Sequence, residues 1–286
     1  MTISGPTNGL SALVARYPAI LSDVWGVVHN GVEPHWSAVE ALVKYREEGG
    51  RVVLITNAPR PGPSIVAQLD AMDIPRTAYD DLISSGDATR TLLESWRGRT
   101  IARVGPAVDD VLFEGLDLTF GGDREATAVV VTDLDTDDDT PDDYNDRMAI
   151  WRERNLPLIC ANPDKVVEDG DRIVYCGGAL ADAYEDIGGR VMMAGKPYSP
   201  IYEQAKAMLD AAASHHFEKR DIIAIGDSIR TDSIGAAQFG IDLLFITGSI
   251  HAAELDAFNN PPAKRVADFV SVSRANMVGF MPRLVW

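Results

Sequence analysis

Four short segments hold the side chains that could do chemistry in this 286-residue chain. The apolar run Ala19-Ile20-Leu21 leads into Asp23, and Val52-Val53-Leu54-Ile55 leads into Thr56-Asn57. A third run, Ile222-Ile223-Ala224-Ile225, leads into Gly226-Asp227-Ser228, with Asp232 just beyond. Lys196 stands between Gly195 and Pro197, ahead of a helical stretch that begins near Ser199. Two carboxylates from separate strands, Asp23 and Asp227, can hold one hard, oxygen-preferring cation of the magnesium type. Thr56, Asn57 and Lys196 then suit an anion, the ammonium acting as a point charge against phosphate or carboxylate repulsion.

These residues need a frame that brings strand ends together. Strand-length apolar runs alternate with amphipathic helical stretches, which predicts a parallel sheet covered by helices on both faces. Val39, Leu42 and Val43 recur at helical spacing before Gly49-Gly50 stops the helix, and Ile65, Val66, Leu69 and Met72 form a second stripe broken by Pro75. In such sheets reactive groups collect beyond the carboxyl ends of the strands. After Gly86 the alternation restarts, with strands expected at Val129-Val130-Val131 and Leu156 to Cys160. Between them Thr140, Pro141 and Asp143 read as a capped helix start. This middle segment is expected to be a separate α/β domain. The last third returns to the first pattern, with a helix through Ile201, Ala205 and Leu209, the strand at 222–225, a helix closed by Gly240, and the strand Leu243 to Ile246.

Composition narrows the partners. The length is about twice that of a usual domain, which favours two domains or one core with a large insertion. Acidic residues outnumber basic ones 43 to 26, and the net charge of -17 repels phosphate backbones and anionic lipid headgroups, so neither nucleic acid nor membrane is an expected partner. A local lysine and a divalent cation can still invert the field within one pocket. Two cysteines, Cys160 and Cys176, are too few for a disulfide scaffold and lack zinc or redox spacing, which fits a reducing cytoplasm. The N-terminal residues carry no signal-peptide pattern.

The order Asp23-Val24-Trp25-Gly26-Val27, then Thr56-Asn57, then Lys196, then Gly226-Asp227 with Asp232, resembles the haloacid dehalogenase superfamily. The gap between Thr56 and Lys196 is similar to that produced by a large inserted α/β cap. Gly31, the stretch Thr89 to Leu92, Ala161-Asn162-Pro163-Asp164 and Gly195-Lys196-Pro197 resemble class IIA members, among them p-nitrophenyl-phosphatase-like and sugar-phosphatase-like enzymes. The resemblance implies a Rossmann-like parallel core over residues 1–85 and 191–286 and a cap over 86–190. It implies a magnesium-dependent phosphohydrolase acting on a small phosphorylated metabolite. Asp23 would be the nucleophile, and Asp23, the Trp25 carbonyl, Asp227 and Asp232 would be the metal ligands. Thr56, Asn57 and Lys196 would form the phosphate cradle.

One residue departs from that pattern. Phosphatases of this superfamily carry a second Asp two residues after the nucleophile, as the acid that protonates the leaving oxygen. Trp25 stands there instead, and an indole N–H has neither useful acidity nor a basic lone pair. A positioned acid or base contributes roughly 10²- to 10⁴-fold, so alkyl phosphates are expected to turn over slowly. Four readings stay open: a substrate whose leaving group needs no proton, a relocated acid with His29 as the nearest titratable candidate, a dehalogenase-type hydrolase, or a weakly active module that binds a phosphorylated metabolite.

Several features are expected to be structural. The eight aspartates between Asp133 and Asp146 read as a solvated loop and helix start, His215-His216 as a surface pair, and Arg60 as a phosphate contact or a solvated arginine. The apolar tail Met277 to Trp286 is expected to dock on its own core or on a second copy, and a homodimer is expected.

Overall fold

The computed structural model describes residues 5–286. In chain order the first unit is β1 (Ala19–Ser22), α1 (Trp36–Glu47), β2 (Arg51–Thr56), α2 (Gly62–Ala71), β3 (Asp81–Ser84) and α3 (Ser85–Leu93). β1 and all of β2 after Arg51 are buried, as a strand covered on both faces must be. α3 starts on a capping box in which Ser84 and Asp87 satisfy each other's backbone N–H groups.

The middle segment supplies β4 (Arg99–Val104), β5 (Leu118–Phe120), β6 (Val129–Val131), α4 (Asn145–Glu153), β7 (Pro157–Cys160), the hairpin β8 (Val166–Asp169) and β9 (Arg172–Tyr175), α5 (Gly177–Asp186) and β10 (Arg190–Met193). The chain then returns through α6 (Ser199–Ala213), β11 (Ile222–Gly226), α7 (Ile234–Phe239), β12 (Asp242–Ile246), the short α8 (Ala252–Leu255), α9 (Ala263–Ser271) and β13 (Asn276–Met281).

The core sheet runs β13-β12-β11-β1-β2-β3 with every pairing parallel. Strand order reverses between β1 and β11, so the crevice that such a reversal opens lies between the ends of those two strands. One face packs Val39, Leu42, Ile65 and Leu69 against the sheet, and the other packs Ile201, Leu209, Phe239 and Val266. A second parallel sheet, β10-β7-β6-β4-β5, carries its own core around Trp151, Leu158 and Tyr184 on one face and Ile101, Leu112 and Val130 on the other.

The expected strands and helices form where the periodicity puts them, and the Thr140 and Asp143 capping box forms as well, on a 3₁₀ turn that runs into α4. The second sheet reaches further than residue 190, where the sequence reading ended the cap: Val191, Met192 and Met193 of β10 pair with Leu158, Ile159 and Cys160. The C-terminal tail docks on its own core, as β13 beside β12, with Leu284 fully buried beyond it. β13 is hidden in the sequence because Gly279 interrupts its pattern, and β8–β9 because each strand is only four residues long around the Gly170 turn. Among the described residues no helix is long and apolar enough to cross a membrane.

Candidate active site

Asp23 follows directly on β1, and its backbone N–H bonds the carbonyl of Ile225 on β11, which ties the two central strand ends together. Asp227 follows β11. Asp232 sits on a single π-turn, Ile229–Ser233, a local winding often found at functional sites. One carboxylate oxygen from each of Asp23, Asp227 and Asp232 lies within 4.8 Å of the others, and all three residues are buried. Gly26 holds a left-handed φ of 82° beneath them, and a Cβ there would fall on the Asp227 carboxylate.

Lys196, 1% exposed, reaches into this group, with Nζ 2.6 Å from Asp23 and 2.8 Å from Asp232. Burial alone would lower its pKa, but Asp23, Asp232 and Asp164 outweigh that and hold the ammonium well above its ordinary value. Burial, followed by repulsion from Asp232, pushes Asp23 well above the carboxylate range. The same two causes raise Asp227 to about 7, partly opposed by the neighbouring Ser249 hydroxyl. One buried lysine does not neutralise three buried carboxylates. The all-oxygen donor set and its excess negative charge fit a small divalent cation.

Thr56 ends β2 with its Oγ1 accepting from the N–H of Ala58 at 3.2 Å, which leaves the hydroxyl proton to donate. Asn57 is spent differently from the expectation. Its Oδ1 accepts from the Lys196 N–H at 2.8 Å, and its Nδ2 donates to the Lys196 carbonyl and to Asp164. The side chain therefore clamps the lysine segment rather than facing an anion.

A cavity of about 140 Å³ opens between the two sheets, lined by Trp25, Thr56 and Arg60 from the core and by Asp109, Asp133 and Asp164 from the middle segment. Asp164 also lines a smaller space with Asp23 and Asp227. Burial, then Asp109, raises Asp133 to about 8. Arg60 pairs with Asp109 at 3.6 Å and with Gln68, so it bridges core and cap and is not a solvated arginine. Cys176 lines the cavity too, but burial pushes its thiol well up, away from nucleophile range.

Trp25 points its indole N–H at the backbone carbonyl of Glu168 on β8. Around it the Gly170 N–H donates to the Asn30 carbonyl at 3.1 Å, and Ser249 donates to the Glu168 carboxylate at 3.3 Å. Gly31, at a φ of 91°, leaves room for the indole ring. His29 stands apart from the other candidates. It is 1% exposed, lies edge-on to Trp25 with ring centroids 5.0 Å apart, and its Nδ1 accepts from the Gly31 N–H. Burial, with help from His35 and Arg60, lowers it to about 4, so it is neutral at pH 7. Asp164 was read in the sequence only as part of a motif. Its position at the cleft is set by the turn after β7, for which local sequence carries no distance information.

The fold and site together define a capped α/β hydrolase, with a carboxylate cluster at the sheet's switch point and a second parallel sheet over it. Residues 20–118 match the haloacid dehalogenase-like hydrolase model, and residues 193–272 match a HAD-hydrolase-like model. The structure of a haloacid dehalogenase-like hydrolase from Brucella suis 1330 is 40% identical, superimposes with a TM-score of 0.87, and covers 98% of this chain and 100% of its own. The chain belongs to the haloacid dehalogenase-like hydrolases, in the class IIA arrangement with the cap between its second and third motifs. A protein described as 5'-nucleotidase YutF, from Bacillus subtilis, is 25% identical over 80% of this chain and 87% of its own length. A structure described as a possible sugar phosphatase from Cytophaga hutchinsonii shares the fold at 22% identity and a TM-score of 0.73, covering 91% of this chain and 96% of its own.

Proposed function

We propose that this enzyme is a magnesium-dependent phosphatase of small phosphorylated metabolites, working through an aspartyl-phosphate on Asp23. The observation that supports this most is the buried cluster of Asp23, Asp227 and Asp232 around Lys196 at the β1–β11 switch point. The relatives named as nucleotidase and sugar phosphatase point to phosphate monoesters as the substrate class.

In this reading an Asp23 oxygen attacks phosphorus and forms a P–O bond while the ester P–O bond breaks toward the leaving oxygen. Lys196 and the Thr56 hydroxyl offset the charge on the phosphoryl oxygens, and Asn57 holds Lys196 in register. The carboxylates of Asp23, Asp227 and Asp232 and the Trp25 carbonyl would hold magnesium, which when bound neutralises phosphoryl charge and orients the phosphate for in-line attack. Water then attacks the aspartyl-phosphate, returns Asp23 to its carboxylate and releases phosphate.

The leaving oxygen departs without a proton from position 25. His29, neutral and hydrogen-bonded behind Trp25, does not supply one in this reading. Aryl and acyl phosphates, whose leaving groups need no protonation, are therefore the fastest substrates. A phosphometabolite screen with magnesium, run beside p-nitrophenyl phosphate, tests the proposal. Turnover of p-nitrophenyl phosphate that needs magnesium and is lost in Asp23→Asn is expected. A full rate in that variant would remove Asp23 as nucleophile, and binding without turnover across activated phosphates would make the protein a binding module.

A further inference from the structure

A cavity of about 520 Å³ lies at the far edge of the core sheet, where β12 and β13 end, and none of its lining residues borders the catalytic cleft. Its walls are largely apolar, from Phe280, Met281 and Val285, but three polar features meet there. The first is the N-terminus of α9. Pro262 caps it without a side-chain acceptor, its first turn holds no acidic residue, and its ladder begins with the Arg265 and Val266 N–H groups bonding the Pro262 carbonyl. The N–H groups of Ala263 and Lys264 lie ahead of that ladder, at the positive end of the helix dipole.

The second feature is Thr247. It is fully buried, and its hydroxyl has no hydrogen-bond partner among the described residues. Leaving a buried polar group unpaired is costly, so such groups usually mark a missing partner. The third is Arg283, whose buried Nη1 is also unpartnered. Among the described residues no carboxylate pairs with its guanidinium, which lies 5.6 Å from the Phe258 ring. Among the described arginines only Arg60 and Arg283 carry a buried nitrogen without a hydrogen-bond partner. Its field reaches His35, where burial and then Arg283 hold the imidazole at about 4.

We propose that this cavity is a second, non-catalytic site that binds a small organic anion, an acidic group on an apolar body. Arg283, the Thr247 hydroxyl and the leading N–H groups of α9 take the acidic group, and the Phe280, Met281 and Val285 walls take the apolar body. A helix N-terminus beside a guanidinium recognises carboxylate, sulfonate and phosphate alike.

The test is a fluorescence titration of the full chain with 8-anilinonaphthalene-1-sulfonate, in magnesium and without added phosphate. Saturable binding at one site per chain is expected, weaker at higher salt. Arg283→Gln lowers the affinity about tenfold or more, the scale of losing one charge-assisted contact, and Arg283→Lys keeps most of it. Ala263→Glu, which places a carboxylate at the helix N-terminus where it favours the fold, competes with the probe and also weakens it. Unchanged affinity in both Arg283→Gln and Ala263→Glu, each with native near-ultraviolet dichroism, would overturn the proposal. So would no saturable binding.

Discussion

At the scale of single residues the site is a charge problem. Asp23, Asp227 and Asp232 crowd one buried space, and Lys196 answers only part of their charge. Trp25 answers none of it. With a backbone acceptor on β8 for its N–H and a histidine at its edge, it is held as a wall of the cleft. Replacing it tests whether the missing acid limits the rate. In Trp25→Asp, turnover of alkyl phosphates is expected to rise by roughly 10²-fold or more, the lower range for a positioned acid, while aryl phosphates change little. Steady-state kinetics on one alkyl and one aryl substrate measure this, and equal effects on both would contradict it. Asp23, Thr56 and Asp227 were legible in the sequence because each follows an apolar run of strand length, and Lys196 because it stands between Gly195 and Pro197 ahead of a helix. The sharing of Asn57 between Lys196 and Asp164 was not, since it depends on three segments meeting.

At the scale of elements, the hairpin β8–β9 is the part of the cap that touches the core at position 25. The Trp25 N–H, the Asn30 carbonyl and the Ser249 hydroxyl each bind it, so two core loops, after β1 and after β12, hold one cap hairpin shut over the cleft. Trp25→Phe keeps the ring and deletes the donor, removing a bond worth about 0.5–1.5 kcal/mol. Faster amide hydrogen exchange across residues 166–175 is expected, with KM raised more than kcat is lowered. Unchanged exchange in the hairpin would mean that the indole bond does not hold the cap. The sequence offered little sign of this hairpin. Its strands are short and half-exposed, and a four-residue pattern around Gly170 reads equally well as a loop. β10 was missed for a related reason, as Arg190–Met193 is brief and becomes a strand only by pairing with β7.

At the scale of the whole molecule, two parallel sheets trap buried titratable groups, and that sets a pH dependence of stability. Asp227 is raised from 3.8 to about 7, so its contribution is complete at low pH and is lost as pH rises through the folded value. His29 and His35, lowered from 6.5 to about 4, act in the opposite sense, but their contribution is already complete above 6.5. The carboxyl effect is therefore left to act alone from roughly pH 6.5 to 8. The melting temperature of the metal-free chain is expected to fall over that interval, Asp227 contributing on the order of 1 kcal/mol. Asp133, raised to about 8, adds a fall of the same sign over that interval, so Asp227→Asn makes the slope shallower without abolishing it, and magnesium raises the melting temperature most at the upper end. A profile that rises or stays flat without metal would contradict the assignment. The sequence by itself determined the alternation of buried strands and amphipathic helices, the three strand-end segments with the lysine segment, and the extra length between Thr56 and Lys196. Those depend on local periodicity and on residue type, which each stretch of chain carries alone. Only the tertiary structure decided that β13 closes the core sheet, that the cap sheet extends to Met193, that Asp164 enters the cleft and that Trp25 meets Glu168. Each is a contact between segments far apart in sequence, chosen by which surfaces remain to be buried once the sheets have formed.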